Sequence, residues 1–361
     1  MNKICIILGT RPEIIKMSPI IRLCKKNDLD FFVLHTGQHY SYNMDQKFFE
    51  DLELEQPKYN LGINGNEYRK EVGLMIPSIM AVLEKEKPEV VLVLGDTNSV
   101  LSGALAANKL GIKVGHVEAG LRSHNLDMLE EITRIIVDHI SDLLFVPTSD
   151  AFGKLQDEKI DEHKLFLTGN TIVEAVQQNL KVAEKKVNIF DKLNIKKGEY
   201  ILVTAHRAEN VDNYTGLKGI IDGISLVQKD LDMPMIFPMH PRTKKNLDKF
   251  SLNITNDNII VIEPLGYLEF LQLEAGAKIV LTDSGGLQEE ACILRVPCVT
   301  MRDETERPET VEVGVNILAG TNPDKILESV KSMLSTEKNW ANPFGDGDTS
   351  KKIINICNDI L

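Results

Sequence analysis

The chain has 361 residues, 43% apolar and 26% charged, and 41 Lys and Arg against 53 Asp and Glu leave a formal net charge of −12. That length exceeds one hydrophobic core of ordinary size and implies two domains. The acidic balance argues against nucleic acid or an anionic membrane as a partner, since both need cationic faces.

The opening run Ile4–Leu8 reads as a strand, too short and too lightly flanked for a signal peptide, and no apolar stretch approaches membrane-spanning length. The five cysteines (Cys5, Cys24, Cys292, Cys298, Cys357) form no CxxC pair, so a reducing, cytoplasmic setting is expected. Further strand-like runs at Phe31–His35, Val90–Leu94, Lys113–Val117, Leu143–Val146 and Leu165–Leu167 alternate with helical patterns at 12–26, 69–87 and 99–110. The alternation restarts at 200–204 and continues through 234–237, Ile259–Ile262, 278–281 and Cys298–Thr300. Continuous β-branched runs between helices predict parallel strands buried on both faces. The expected fold class is therefore α/β, with two Rossmann-like, doubly wound parallel-sheet domains. The domain boundary is placed after Gly169: 1–169 form the first domain, 170–349 the second, and 350–361 an amphipathic C-terminal helix.

In parallel α/β sheets, ligands sit beyond the carboxyl ends of the strands. There the sequence carries Gly9-Thr10-Arg11-Pro12-Glu13-Ile14-Ile15-Lys16, Thr36-Gly37-Gln38-His39, Gly95-Asp96-Thr97, Glu118-Ala119-Gly120-Leu121-Arg122, Thr204-Ala205-His206-Arg207, His240-Pro241-Arg242, Asp283-Ser284-Gly285-Gly286 and Thr305-Glu306-Arg307-Pro308-Glu309. Ser284-Gly285-Gly286 falls where a strand turns into a helix. The first amide groups of a helix lack partners and its dipole is positive there, so glycines would let a phosphate approach closely. Glu290, one turn on, has about the reach of a ribose hydroxyl. Each cluster also has a bland reading: Asp96 as a helix cap ahead of Thr97, Glu130 and Glu131 as helix-start acids, Phe270 as a core residue. Eight clusters, all at strand carboxyl ends, are hard to explain as caps alone, and two facing domains would make them line one cleft.

No GxGxxG follows the first strand, and the chain has no GxxxxGK[ST], HExxH or GxSxG. No cofactor and no metal are expected, and nicotinamide, P-loop and hydrolase chemistry are unsupported. What remains is a carboxylate-rich set, Asp96, Glu118, Glu130 and Glu131, with His206 and a cationic, diphosphate-friendly set. That combination suits proton transfer on a nucleotide-activated sugar.

In order along nearly the whole chain, Gly-Thr-Arg-Pro-Glu-Ile-Ile-Lys (9–16), Thr-Gly-Gln-His (36–39), Gly-Asp-Thr (95–97), Val-Glu-Ala-Gly-Leu-Arg (117–122), Glu-Glu-x-x-Arg (130–134), Thr-x-His-Arg-x-Glu-Asn (204–210), Asp-Ser-Gly-Gly-Leu-Gln-Glu-Glu-Ala (283–291) and Thr-Glu-Arg-Pro-Glu (305–309) resemble the non-hydrolysing UDP-N-acetylglucosamine 2-epimerases. The resemblance implies a GT-B-like pair of domains with UDP held mainly by the second, the C-terminal helix crossing back onto the first, and a homodimer. It implies interconversion of UDP-GlcNAc and UDP-ManNAc by loss of the C2 proton and expulsion of UDP, through 2-acetamidoglucal, then re-addition. Carried over by position, it makes Asp96, Glu118, Glu130 and His206 catalytic. It gives substrate and UDP contacts to Arg11, Lys16, His39, Arg134, His240, Phe270, Ser284, Gly285, Gly286, Glu290 and Arg307. Among the departures from the family pattern, the family usually reads Pro-Glu-Glu-x-Asn-Arg where this chain has Leu129-Glu-Glu-Ile-Thr133-Arg134, the loop between Arg122 and Glu130 is short, and Tyr40-Ser41-Tyr42-Asn43 after Gln38-His39 does not repeat the expected glutamine spacing. A hydrolysing epimerase that releases ManNAc and UDP, and a GT-B glycosyltransferase that would need an acceptor, share much of this residue set.

Overall fold

The computed structural model describes residues 3–37, 42–63 and 71–360. The chain divides into two compact units, Met1–Gln178 with Phe344–Leu361, and Asn179–Pro343. Unit one is built on β1 (Ile4–Leu8), β2 (Phe31–His35), β3 (Tyr59–Asn60), β4 (Val90–Leu94), β5 (Lys113–Val117), β6 (Leu143–Val146) and β7 (Leu165–Leu167), in the sheet order β3-β2-β1-β4-β5-β6-β7. Unit two is built on β8 (Ile201–Val203), β9 (Met235–Pro238), β10 (Ile259–Ile262), β11 (Ile279–Thr282), β12 (Cys298–Thr300) and β13 (Asn316–Leu318), in the order β10-β9-β8-β11-β12-β13. Every strand pair is parallel.

Helices cover both faces of such sheets, which is why β1 and β4 are buried at all their residues and read as unbroken apolar runs. β3 and β13 add to the expected strands. They are two and three residues long, too short to leave a periodic trace. Winding reverses between β1 and β4 in unit one and between β8 and β11 in unit two. Crossovers on the two sides of such a switch point run in opposite directions, so the strand ends there are left open.

The sequence pattern places the end of the first domain at Gly169. Unit one instead runs on to Gln178, inside the helix Ile172–Lys186. The early turns of that helix are tied to the C-terminal helix Thr349–Ile360: Glu174 accepts the Ser350 amide at 2.7 Å and its hydroxyl at 2.5 Å. Thr349 Oγ1 donates to the Thr168 carbonyl at 3.1 Å, and the Asn170 amide to the Phe344 carbonyl at 2.8 Å. Gly169 has φ +88°, and a Cβ there would lie 2.9 Å from Thr349 Oγ1, so only glycine fits the turn. The C-terminal helix packs on the helix Arg11–Lys26. No helix among the described residues is long and apolar enough to cross a membrane.

Candidate active site

In unit one the loops after β1 and β4 meet at the switch point. A Cβ on Gly9 would fall 2.1 Å from both Ser99 Oγ and Thr36 Oγ1, which accounts for the glycine that opens the first loop. Thr10 and Glu13 form a capping box at the start of the helix Arg11–Lys26. Glu13 does more than cap. One carboxylate oxygen takes the amides of Gly9 and Thr10 at 2.6 and 2.8 Å, and the other takes Thr97 Oγ1 at 2.5 Å. Burial pushes its pKa up to about 7 against those hydrogen bonds. Glu13 therefore staples the Arg11 loop to the loop carrying Asp96. Thr97, with its side chain accepting from the Val100 amide, is the cap of the helix Asn98–Lys109, so Asp96 is not spent as a cap.

Asp96 accepts from Arg134 Nη1 at 2.5 Å. Arg134 is also held by Glu131, through Nε at 3.0 Å and Nη2 at 2.7 Å. The two neighbouring acids of this helix are thereby separated. Glu131 is buried and accepts the Ser123 and His124 amides, each at 2.9 Å. Burial alone would raise its pKa, but these bonds and Arg134 hold it at about 2. Glu130 points outward, exposed, in the first turn of the helix Leu129–Ile140. Asp96 has its pKa raised, first by burial and then by the charges of Glu118 and Glu130, against the pull of Arg134.

Glu118 lies just past β5, with φ +64°, a costly conformation for a residue with a long side chain and one that clusters at functional sites. Its carboxylate is gripped by Lys16 Nζ at 2.6 Å and Asn170 Nδ2 at 2.8 Å. Beneath these loops, His116 reaches Asp138 at 2.6 Å through Nδ1 and the Gly95 carbonyl at 2.8 Å through Nε2. Asp138 also accepts the Gly120 amide at 3.1 Å and pairs with Arg122 at 2.7 Å. This buried network links the residue before Asp96, the loop after Glu118 and the helix that carries Glu130. The sequence reading passed over Asn170, His116 and Asp138. Asn170 could have been found, since it follows a strand just as the other clusters do. His116 interrupts an otherwise apolar strand, and Asp138 stands four residues from Arg134.

In unit two the helix Gly285–Leu294 starts directly after the Ser284 cap, whose side chain makes no capping bond. Gly285 and Gly286 lack positive φ. A Cβ on Gly286 would meet its nearest neighbour only at 4.0 Å. The fold does not require glycine there, and the missing side chain leaves the first amides of the helix open to a ligand. Asp283, fully buried, accepts the amide of His206 at 3.0 and 2.9 Å, that of Arg207 at 2.9 Å and Asn210 Nδ2 at 3.3 Å. It thereby fixes the loop after β8 against the turn after β11.

His206 and His240 pack against each other with ring centroids 5.4 Å apart and ring planes tilted by 36°. Burial lowers the His206 pKa, Asp283 opposes this, and His240 and Arg207 add to it. His240 Nδ1 accepts the Arg242 amide at 3.1 Å, which leaves Nε2 to carry the proton in the neutral ring. Both histidines line a pocket with Thr204, Ala205, Pro238, Pro264, Leu265, Phe270 and Leu287. Phe270 lines this pocket and also packs against the core beneath it. Arg307 Nε pairs at 2.6 Å with Glu289, which neighbours Glu290 on the Ser-Gly-Gly helix. Arg11 lies with its guanidinium 5.5 Å from the Phe48 ring centre. His39 falls outside the described residues.

The arrangement offers proton-transfer groups in unit one and an anion-receptive helix start with an apolar, histidine-walled pocket in unit two. A family model for UDP-N-acetylglucosamine 2-epimerase matches residues 22–358. The chain is 55% identical over 359 residues to the UDP-N-acetylglucosamine 2-epimerase of Methanocaldococcus jannaschii, covering 98% of each chain. It is 54% identical over 361 residues to that of Methanococcus maripaludis, covering 99% of this chain and 98% of the relative. The crystal structure of the Methanocaldococcus jannaschii UDP-GlcNAc 2-epimerase in complex with UDP-GlcNAc and UDP superposes with a TM-score of 0.87 over 99% of each chain.

Proposed function

The chain belongs to the UDP-N-acetylglucosamine 2-epimerase family, and from that premise we propose that it interconverts UDP-GlcNAc and UDP-ManNAc by elimination and re-addition of UDP. A base removes the C2 proton, the C1–O bond breaks, a C1=C2 double bond forms and UDP leaves as the diphosphate. Return of a proton to the opposite face of C2 and addition of UDP at C1 complete the inversion. The observation that carries this reading is the placing of Asp96 against Arg134 and of Glu118 against Lys16, with burial first and then the charges of Glu118 and Glu130 raising the proton affinity of Asp96. The C2 hydrogen is weakly acidic, so its removal needs a strong, positioned base and a group that stabilises developing charge.

Asp96 serves as a proton-transfer group with Arg134 beside it, and Glu118, fixed by Lys16 and Asn170, orients the sugar and its charge. Glu130 and His206 supply the further acid–base groups that a two-face reaction needs. Ser284, Gly285 and Gly286 hold the diphosphate with Arg307, Glu290 takes the ribose hydroxyls, and Phe270 and His240 flank the uracil. Incubation with UDP-GlcNAc in deuterated water tests the scheme: deuterium is expected at C2 of both sugars, and its absence would defeat it. Free ManNAc and UDP accumulating without UDP-ManNAc would instead identify a hydrolysing enzyme.

The chain also acts as a homodimer in this reading. The helix Leu129–Ile140 carries an exposed apolar stripe: Leu129, Ile132 and Ile136 are 57%, 40% and 36% exposed, with Leu126 at 66% beside them, while Glu131 and Asp138 are buried. A stripe of that kind calls for a covering partner, and a second copy supplies the same stripe by two-fold symmetry. Ile132→Glu is expected to give a monomer by light scattering, and a wild-type mass for this variant would rule the stripe out as the contact.

A further inference from the structure

Glu274, near the end of the helix Tyr267–Ala275, is fully buried, and neither of its carboxylate oxygens meets a hydrogen-bond donor. The carboxyl group of Glu290, on the Ser-Gly-Gly helix that packs against this one, lies beside it. The apolar cluster built on the same elements includes Leu273, Ala277, Val280 and Ala291. A lone carboxylate in such a place would be very costly. Two carboxyls in contact cannot both ionise, and the more buried one keeps the proton.

We propose that Glu274 is a positioning residue for the nucleotide site: it donates a proton-bearing oxygen to Glu290 and so holds Glu290 as an acceptor-only carboxylate for the ribose diol of a nucleoside diphosphate. This rests on the reading of Glu290 as the ribose-binding acid. A protonated carboxyl is a donor through one oxygen, whereas an ionised one is acceptor-only. The pair therefore divides the roles that a single acid could not fill. Burial first, and Glu290 second, raises the Glu274 pKa well above the carboxylate range.

The titratable groups on the elements packed around Glu274 do not offer it a cation. Tyr200 and Cys298 face it, each with its own pKa raised by burial and further by Glu274. On the neighbouring helix Ile189–Leu193, Lys192 is paired with Glu269 at 2.8 Å and Asp191 accepts Asn188 Nδ2 at 2.6 Å. On the Ser-Gly-Gly helix, Glu289 is paired with Arg307. Rising pH can therefore act on the pair only by removing its proton, after which the two charges repel and Glu290 loses its seat.

Calorimetric titration of the full chain with UDP, from neutral to alkaline pH, tests the proposal on three variants. Glu274→Leu removes the donor and is expected to weaken UDP binding about tenfold, the loss of one hydrogen bond to a charged group. Its melting temperature should hold or rise, because an apolar side chain suits that surrounding better than a buried acid. Glu274→Gln keeps a donor, so affinity should stay within about twofold of wild type, and the alkaline fall in affinity should flatten because no proton is left to lose. Wild-type affinity in Glu274→Leu, or equal losses in a folded Glu274→Gln and Glu274→Leu, would overturn the proposal alone. Glu290→Gln binding UDP like wild type would overturn the ribose assignment, and the proposal with it.

Discussion

Replacing Asp96 with Asn should lower kcat by about 10²–10⁴-fold, the contribution of one general base, while UDP affinity changes by no more than about twofold. The substitution is nearly isosteric. It leaves the Thr97 cap, the Glu13 staple and the Arg134–Glu131 pair in place. The raised pKa of Asp96 fixes the sign of the stability effect. The folded protein binds this proton more tightly than the unfolded chain does, so from the usual aspartate range up through the folded value stability falls as pH rises. At neutral pH the ionised side chain costs stability, and the neutral amide should leave the melting temperature unchanged or slightly higher. A protein that melts normally, binds UDP normally and neither turns over nor exchanges the C2 proton would place the base at Asp96. Full turnover would remove Asp96 from the chemistry, and a large loss of UDP binding would make it a nucleotide contact instead.

That separation of acids was only partly legible in the sequence. The α/β class, the run of parallel strands and the polar clusters at their carboxyl ends follow from patterns of four to eight residues, which local physics sets. The difference between Glu130 and Glu131 does not. Both read as helix-start acids, and the resemblance alone chose Glu130. The fold separates the two by pointing Glu131 inward, where it accepts from Ser123, His124 and Arg134. Glu13 was half legible: Thr10-x-x-Glu13 has capping-box spacing, but its bond to Thr97 spans 84 positions and no local pattern reports it. Asn170, His116, Asp138 and Glu274 were missed for the same reason. Their partners lie far along the chain or on another element, and a polar residue within an apolar run shows that a partner is needed without saying which. Only the fold supplies the φ of +64° at Glu118.

Asp283 shows how far a residue with no chemistry of its own can govern a site. β8 and β11 run side by side, with Val203 opposite Leu281, so the loops that follow them emerge together. Asp283 joins them by accepting two backbone amides and the Asn210 side chain while fully buried. A carboxylate can do this because it is acceptor-only. Asn of the same shape must turn its NH₂ toward at least one of those donors. Asp283→Asn is expected to cost about 2–4 kcal/mol of stability, one or two buried donors left unpaired. It should also lower kcat by about 10²-fold, because a displaced His206 loop ruins the geometry that proton transfer needs. Denaturant unfolding and steady-state kinetics measure the two effects. A double-mutant cycle then separates a general weakening from action through His206. If Asp283 works by placing that histidine, Asp283→Asn added to His206→Ala should lower turnover no further than His206→Ala alone, though stability should still fall. Full additivity of the two losses in turnover would show that Asp283 serves the Ser-Gly-Gly turn, not the histidine.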